Sequence, residues 1–187
     1  MAKALTGMVI NVYRITISTR YFWAHDTQLC SVFLAESSPE RVVYGIDLSD
    51  LVVAANLDRI KQLDSKVQER IKFLCIDFFN SQDHLQDASF DFLFDYTFLC
   101  AIHPDYRPDW VKTLSRLLKK GAMLATLMYP LNETRPLDDG PPFPLSPELY
   151  HELLDETFDL VSLEDVALDR SLPRRAGKEK MGIWRRK

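Results

Sequence analysis

Val42-Val43-Tyr44-Gly45-Ile46-Asp47 decides the fold. It is a short apolar run ending in an acid, and the segment from Ser49 to Lys66 behind it has helical spacing. That pattern reads as a buried parallel strand feeding a crossover helix. An acid at the carboxyl end of such a strand can accept two hydrogen bonds from the vicinal hydroxyls of a ribose. Nucleoside sites of this kind usually also have a glycine-rich turn one strand earlier, where backbone must approach the ligand. No glycine lies between Gly7 and Gly45. The chain carries half of a cofactor signature and lacks the other half.

Outward from this strand, periodicity gives alternating elements. Upstream, Met8 to Ile17 reads as a strand, and Asp26 caps a helix through Leu34 that Ser37-Ser38-Pro39 stops. Ser49 or Asp50 caps the helix to Lys66. Ile71 to Ile76 and Phe90 to Phe94 read as strands, the first followed by Asp77 and the second by Asp95. Phe78 to Ser89 and Ala101 to Pro108 read as loops. The amphipathic run from Trp110 predicts a helix closed by Lys119-Lys120-Gly121, cations at the negative end of the dipole and glycine in the left-handed turn. Ala122 to Tyr129 is a strand, Pro130 to Pro147 a proline-rich loop, and Ser146 caps a helix to Leu154. Phe158 to Val166 and Lys180 to Arg186 form a closing strand pair. The alternation predicts an α/β fold, a mostly parallel Rossmann-like sheet with an antiparallel C-terminal edge. One domain over residues 1–187 is the economical reading.

Composition narrows the function. With 187 residues, 47% apolar and 27% charged, the chain suits a globular domain with a real core. A net charge of −4 and a pI near 5.6 argue against nucleic acid as main partner. The tail from Arg170 to Lys187 is an exception, with eight Lys or Arg against one Glu; a solvated final hairpin is favoured there over an anion site. Cys30, Cys75 and Cys100 are widely spaced in apolar surroundings. They read as buried, reduced thiols rather than zinc ligands or disulfides. No stretch reaches the ~20 apolar residues of a membrane span, so a cytoplasmic location is expected.

In open α/β sheets, ligands bind beyond the carboxyl ends of the strands. Three successive strands end in an acid, at Asp47, Asp77 and Asp95, each followed by Leu48, Phe78 or Tyr96. Strand ends meet solvent, and any polar residue serves there. Three in a row also predict a nucleoside pocket, with Asp47 on the ribose, Asp77 and Phe78 on the base, and Asp95 and Tyr96 near the reacting end.

The run Phe90-Asp91-Phe92-Leu93-Phe94-Asp95-Tyr96-Thr97-Phe98-Leu99-Cys100-Ala101-Ile102 resembles the fourth-strand motif of the thiopurine S-methyltransferase superfamily. Its nearest branch is the thiol and halide methyltransferases of plants and fungi. The resemblance continues through Arg107-Pro108-Asp109-Trp110, Leu124 to Pro130, Gly140-Pro141-Pro142-Phe143 and Gly177 to Trp184. Upstream it includes Tyr44 to Ser49 and Asp77-Phe78-Phe79, and it covers the chain from about Asp26 onward. It implies a class I methyltransferase fold using S-adenosyl-L-methionine. By position it implies that Asp47 holds the ribose, Asp77 and Phe78 flank the adenine, and Tyr96 contacts the cofactor. The implied substrates are small soft nucleophiles, thiols, thiocyanate or halide ions. No catalytic triad is expected, because a thiolate needs little help from a general base near neutral pH. His103 reads as a surface histidine before it reads as a base. Arg107 either attracts an anion or pairs with Asp105 or Asp109. A dehydrogenase would share the strand-end acid but not the fourth-strand motif. Oligomeric state is unreadable.

Similarity stops near His25. Members of this family carry a covering N-terminal segment and a proline-glycine-cysteine-glycine type loop after the first strand, and neither is recognisable. Ser18 to Asp26 occupies the place of that loop, and Trp23 matches no pattern. A side chain where glycine is required meets the ligand or forbids the positive φ of the turn. The abrupt stop favours a truncated or mis-spliced reading frame, against a non-catalytic relative or a different binding loop. Replacing Asp47 by Ala is expected to remove ~1–3 kcal/mol of S-adenosylmethionine binding, the scale of hydrogen bonds to a charged group. Titration calorimetry checks this, with Asp47→Asn as the control for charge; unchanged affinity and fold would mean that the pocket lies elsewhere.

Overall fold

The computed structural model describes residues 6–10, 31–32, 35–36, 39–131 and 134–187. Its seven described strands are β1 (Thr6–Ile10), β2 (Val42–Asp47), β3 (Ile71–Cys75), β4 (Phe90–Tyr96), β5 (Leu118–Met128), β6 (Phe158–Asp165) and β7 (Lys180–Arg186). They form one sheet in the order β3-β2-β1-β4-β5-β7-β6. Neighbours from β3 to β5 pair in parallel, whereas β7 pairs antiparallel with both β5 and β6. The expected α/β sheet with an antiparallel C-terminal edge is therefore present. Four helices accompany it, α1 (Asp50–Ile60), α2 (Ser65–Gln68), α3 (Arg107–Leu117) and α4 (Pro147–Leu154). Ser31, Val32, Ala35 and Glu36 are also helical. Most of the strand expected from Met8 to Ile17, most of the helix from Asp26, Cys30 and Trp23 lie outside the described residues.

Two clusters of buried residues cover the two faces. The larger joins Trp110, Leu114 and Leu117 of α3, Tyr150 and Leu154 of α4, and Ile46, Leu93, Leu124 and Met128 of the sheet. The smaller joins Val53 and Ile60 of α1 to Val43, Ile71 and Phe73, with Phe94 packed against it. Strand side chains alternate between faces. Gly45 is a glycine because the Phe73 ring lies over it; a Cβ there would come within 2.4 Å of that ring.

Local chemistry moves several expected boundaries. Ser49 does cap α1, its Oγ accepting from the Val52 N–H at 3.3 Å. The single helix to Lys66 breaks after Ile60, because Asp64 caps a new turn by accepting from Lys66 N–H. The Gln68 amide donates to the carbonyls of Lys61 and Leu63, satisfying the end of α1. Helix α3 begins at Arg107, three residues before the expected start, since proline is tolerated in a first turn. It ends at Leu117, and Lys119-Lys120-Gly121 lies in β5 instead of a helix cap. Leu118 pairs with Phe90 and the register then jumps to Met123 opposite Phe92. Gly121, at φ +77°, takes up that irregularity, and Lys119 forms an ion pair with Asp91 at 2.7 Å. Cys100 is buried as expected, but Cys75 ends the edge strand β3 and is exposed.

Asp95 corrects the expectation that it lies at the reacting end. It sits within β4, is fully buried, and points into the larger core. Its Oδ1 accepts from the Phe98 N–H at 2.7 Å and its Oδ2 from the Trp110 indole N–H at 2.9 Å. Burial pushes its pKa up to about 7, against the downward pull of the Phe98, Trp110 and Leu99 donors. A carboxyl whose folded pKa exceeds its unfolded value of 3.8 stabilises the fold in acid and loses that contribution as pH rises through the folded value. Denaturant melts should therefore show the protein losing stability relative to Asp95→Asn between about pH 4 and pH 7, with a constant difference above about pH 8. A pH-independent difference would show that Asp95 stays ionised throughout.

Candidate functional site

The strand order reverses at β1. From β1 the chain builds outward to β2 and β3, then returns to place β4 on the other side. Ligands in such sheets lie outside the carboxyl ends at this switch point. Ile10 pairs with Ile46 on one side and Asp95 on the other. Asp47 and Tyr96 each stand one residue beyond those partners, so they straddle the tip of β1, roughly 10 Å apart at ordinary strand spacing.

They also share a face. Asp47 follows Val43 and Gly45 in the alternation of β2, and Val43 packs with α1. Tyr96 follows Phe94, which packs against that same cluster and meets the Tyr96 ring edge-on at 5.7 Å. Asp47 is 5% exposed and its Oδ1 accepts from the Ser49 N–H at 2.7 Å. This bond fixes the carboxylate at the start of α1, where the helix dipole favours negative charge. Asp47 is thus a fixed, desolvated acceptor whose chemistry would suit a ribose diol.

The adenine-side pair is arranged differently from the simple expectation. Asp77 lies two residues past β3, beside Asp47, whose carbonyl accepts from the Ile76 N–H at 3.1 Å. Its two carboxylate oxygens accept from the Phe79 N–H at 2.9 Å and from the Asn80 amide at 2.6 Å. Asp77 therefore shapes the turn that follows it. Phe78 is 2% exposed and packs edge-on against Phe98 and Phe79. The half-buried ring in this turn is Phe79, which lies 5.7 Å from Tyr106.

Sequence reasoning missed Arg175. The basic tail was expected to be solvated, yet Arg175 is 5% exposed. Its guanidinium lies 4.8 Å from the centre of the Tyr129 ring and 5.5 Å from that of Tyr96. It donates to the Tyr96 hydroxyl at 3.3 Å and pairs with buried Glu179 at 3.4 Å. A buried cation thus bridges the tips of β4 and β5. The only signal in the sequence was the charge imbalance of residues 170–187.

The structure places the other candidates as follows, with the Nε and Nη2 of Arg107 buried and without a hydrogen-bond partner among the described residues. The His103 ring pairs with Asp105 at 3.2 Å on the surface. Arg107 pairs with neither Asp105 nor Asp109 among the described contacts; it is buried beside Tyr150, and burial lowers its pKa. Cys100 donates toward the Thr97 carbonyl, and burial pushes its thiol up to about 12, far from a nucleophile's range. Beyond β5, an open depression of about 540 Å³ is lined by Tyr129, Pro130, Leu131, Arg135, Pro142 and Lys178.

Known proteins carry the same architecture. The fold superposes with a TM-score of 0.69 on the 1,6-didemethyltoxoflavin-N1-methyltransferase of Burkholderia thailandensis, crystallised with its substrate and S-adenosylhomocysteine. That likeness covers 98% of this chain and 72% of that one at 15% identity, and it establishes a class I methyltransferase fold. A probable thiol methyltransferase 2 of Arabidopsis thaliana and a thiocyanate methyltransferase 1 of Brassica oleracea are each 35% identical over 154 residues. Those residues are 82% of this chain, which spans 64% of the length of either relative. The model of the thiopurine S-methyltransferase (TPMT) family matches residues 31–187, a stretch that holds the tips of β2, β3 and β4, the depression and Arg175. The chain belongs to the thiopurine S-methyltransferase family.

Proposed function

We propose that this chain is an S-adenosylmethionine-dependent methyltransferase acting on a soft nucleophile, a thiol or a thiocyanate or halide ion. The observation that carries the reading is the pairing of Asp47 and Tyr96 on one face of the sheet, either side of the β1 tip. The thiol and thiocyanate methyltransferases among its relatives support the nucleophile class. S-adenosylmethionine supplies, when bound, a methyl group on an electrophilic sulfonium. Asp47 would accept from both ribose hydroxyls, in a setting dry enough to keep those bonds strong. The turn begun by Asp77 and anchored by Phe78 would hold the adenine, and Tyr96 would lie towards the sulfonium end.

Arg175 fits the nucleophile. A guanidinium held between Tyr96 and Tyr129, its charge partly offset by Glu179, would present the positive end of that ion pair at the tips of β4 and β5. Such a field attracts a thiocyanate or halide ion and lowers the pKa of a thiol, which makes a general base unnecessary. Orientation and exclusion of water then supply most of the acceleration in an in-line displacement. A reducing, cytoplasmic setting suits the exposed Cys75 thiol.

Calorimetry with S-adenosylmethionine, followed by transfer of its methyl group to a thiol, tests the reading. The expected result is saturable binding at micromolar ligand and a methylated thioether. A protein that gives no heat would be a non-catalytic relative on the same scaffold.

A further inference from the structure

We propose that the acceptor is a thiol whose body carries a negatively charged group remote from its sulfur, and that Lys178 recognises this charge. The inference rests on the methyltransferase reading above and names its substrate more narrowly.

The depression beyond β5 is the observation behind it. At about 540 Å³ it is sized for a ligand of many atoms, within the range of about 300–1,000 Å³ that such pockets span. A halide or a three-atom thiocyanate ion would leave most of it to water. Tyr129 joins it to the candidate site, because Arg175 lies on the Tyr129 ring and donates to the Tyr96 hydroxyl. Tyr129, Pro130, Leu131 and Pro142 contribute ring and aliphatic atoms to its mixed lining. Arg135 and Lys178 give it a positive end.

These two cations differ in what they are committed to. Arg135 donates to the carbonyls of Asp139 and Pro142 and pairs with the Asp139 carboxylate at 3.5 Å, so it holds the loop together. Lys178 is exposed, and its ammonium makes no ion pair among the described residues. Its backbone carbonyl accepts from the Leu131 N–H at 3.2 Å, which fixes its place on the rim. Among the described residues, the carboxylates of Asp139 and Glu179 are engaged elsewhere, Asp139 with Arg135 and Glu179 with Arg175 and Ser171. In a chain of net charge −4, a lysine with no ion pair among the described residues at the edge of this depression is a local reversal of sign. A mobile ammonium suits a single remote charge, whereas paired hydrogen bonds to a fixed planar group would call for arginine.

The test uses two thioethers that stand for the methylated product, 4-(methylthio)phenylacetate and its uncharged amide. Calorimetry on the full chain should show the carboxylate binding about tenfold more tightly than the amide, the scale of one hydrogen bond to a charged group. Added salt should narrow the gap. Lys178→Gln should erase it while leaving affinity for the amide in place, and Lys178→Arg should largely restore it. In methyl transfer to 4-mercaptophenylacetate, Lys178→Gln should raise KM about tenfold with kcat held, as expected for a contact equal in ground and transition states. Equal binding of the two probes, failure of both to bind, or a preference that survives Lys178→Gln would each overturn the proposal. A protein that prefers the carboxylate but transfers no methyl group keeps this pocket and loses the reaction. One that methylates thiols without the preference loses only this inference.

Discussion

The hydrogen-bond register of β1 governs the carboxyl edge of the sheet. This five-residue strand pairs with β2 through Ile10 and Ile46 and with β4 through Ile10 and Asp95. A slip of one residue on either side would turn Asp47 or Tyr96 to the opposite face, because side chains alternate with a period of two. The two buried clusters resist such a slip. Val43 and Phe94 are held against α1 on one face, and Ile46 and Leu93 against α3 on the other. Site geometry is thus a by-product of core packing, set at a distance by residues that touch no ligand.

The same alternation separates two neighbouring residues that looked equivalent in the chain. Asp95 and Tyr96 stand side by side at the end of β4, and both were read as pocket residues. Their faces differ, so Asp95 binds Trp110 within the core while Tyr96 meets Arg175 above the strand tips. Counting inward from the apolar run could have separated them, but Phe90 to Phe94 is apolar at nearly every position and conceals which face each residue takes. Asp47 was legible because Gly45 and Ser49 mark the strand end and the helix start on either side of it. The proline-rich segment after β5 was legible as a loop, though its cleft was not. Lys119-Lys120-Gly121 misled for a physical reason, since a glycine at positive φ serves a strand irregularity as well as a helix cap.

Arg175 was illegible because its place depends on contacts across 79 residues of chain. A basic tail is normally solvated, and burial of a guanidinium needs compensation. Glu179, four residues on, supplies the countercharge, and the faces of Tyr96 and Tyr129 add to it. The aromatic part is not visible locally, since the two tyrosines lie at the ends of different strands. Buried ion pairs seldom add much net stability.

That ion pair bears on how a site with no triad among the described residues would work. A hard nucleophile such as an alcohol needs a base to remove its proton at neutral pH, because its pKa lies far above the medium's. A thiol lies within a few units of it, and a nearby cation supplies the difference. The buried acid of the site region, Asp95, is turned away, and the buried thiol, Cys100, is held far from ionisation. What the described residues bring to the tips of β4 and β5 is the Arg175–Glu179 ion pair and aromatic surface. On the reading proposed above, such a site would discriminate through the charge and polarisability of the incoming nucleophile, and would leave recognition of the nucleophile's body to the depression beyond β5.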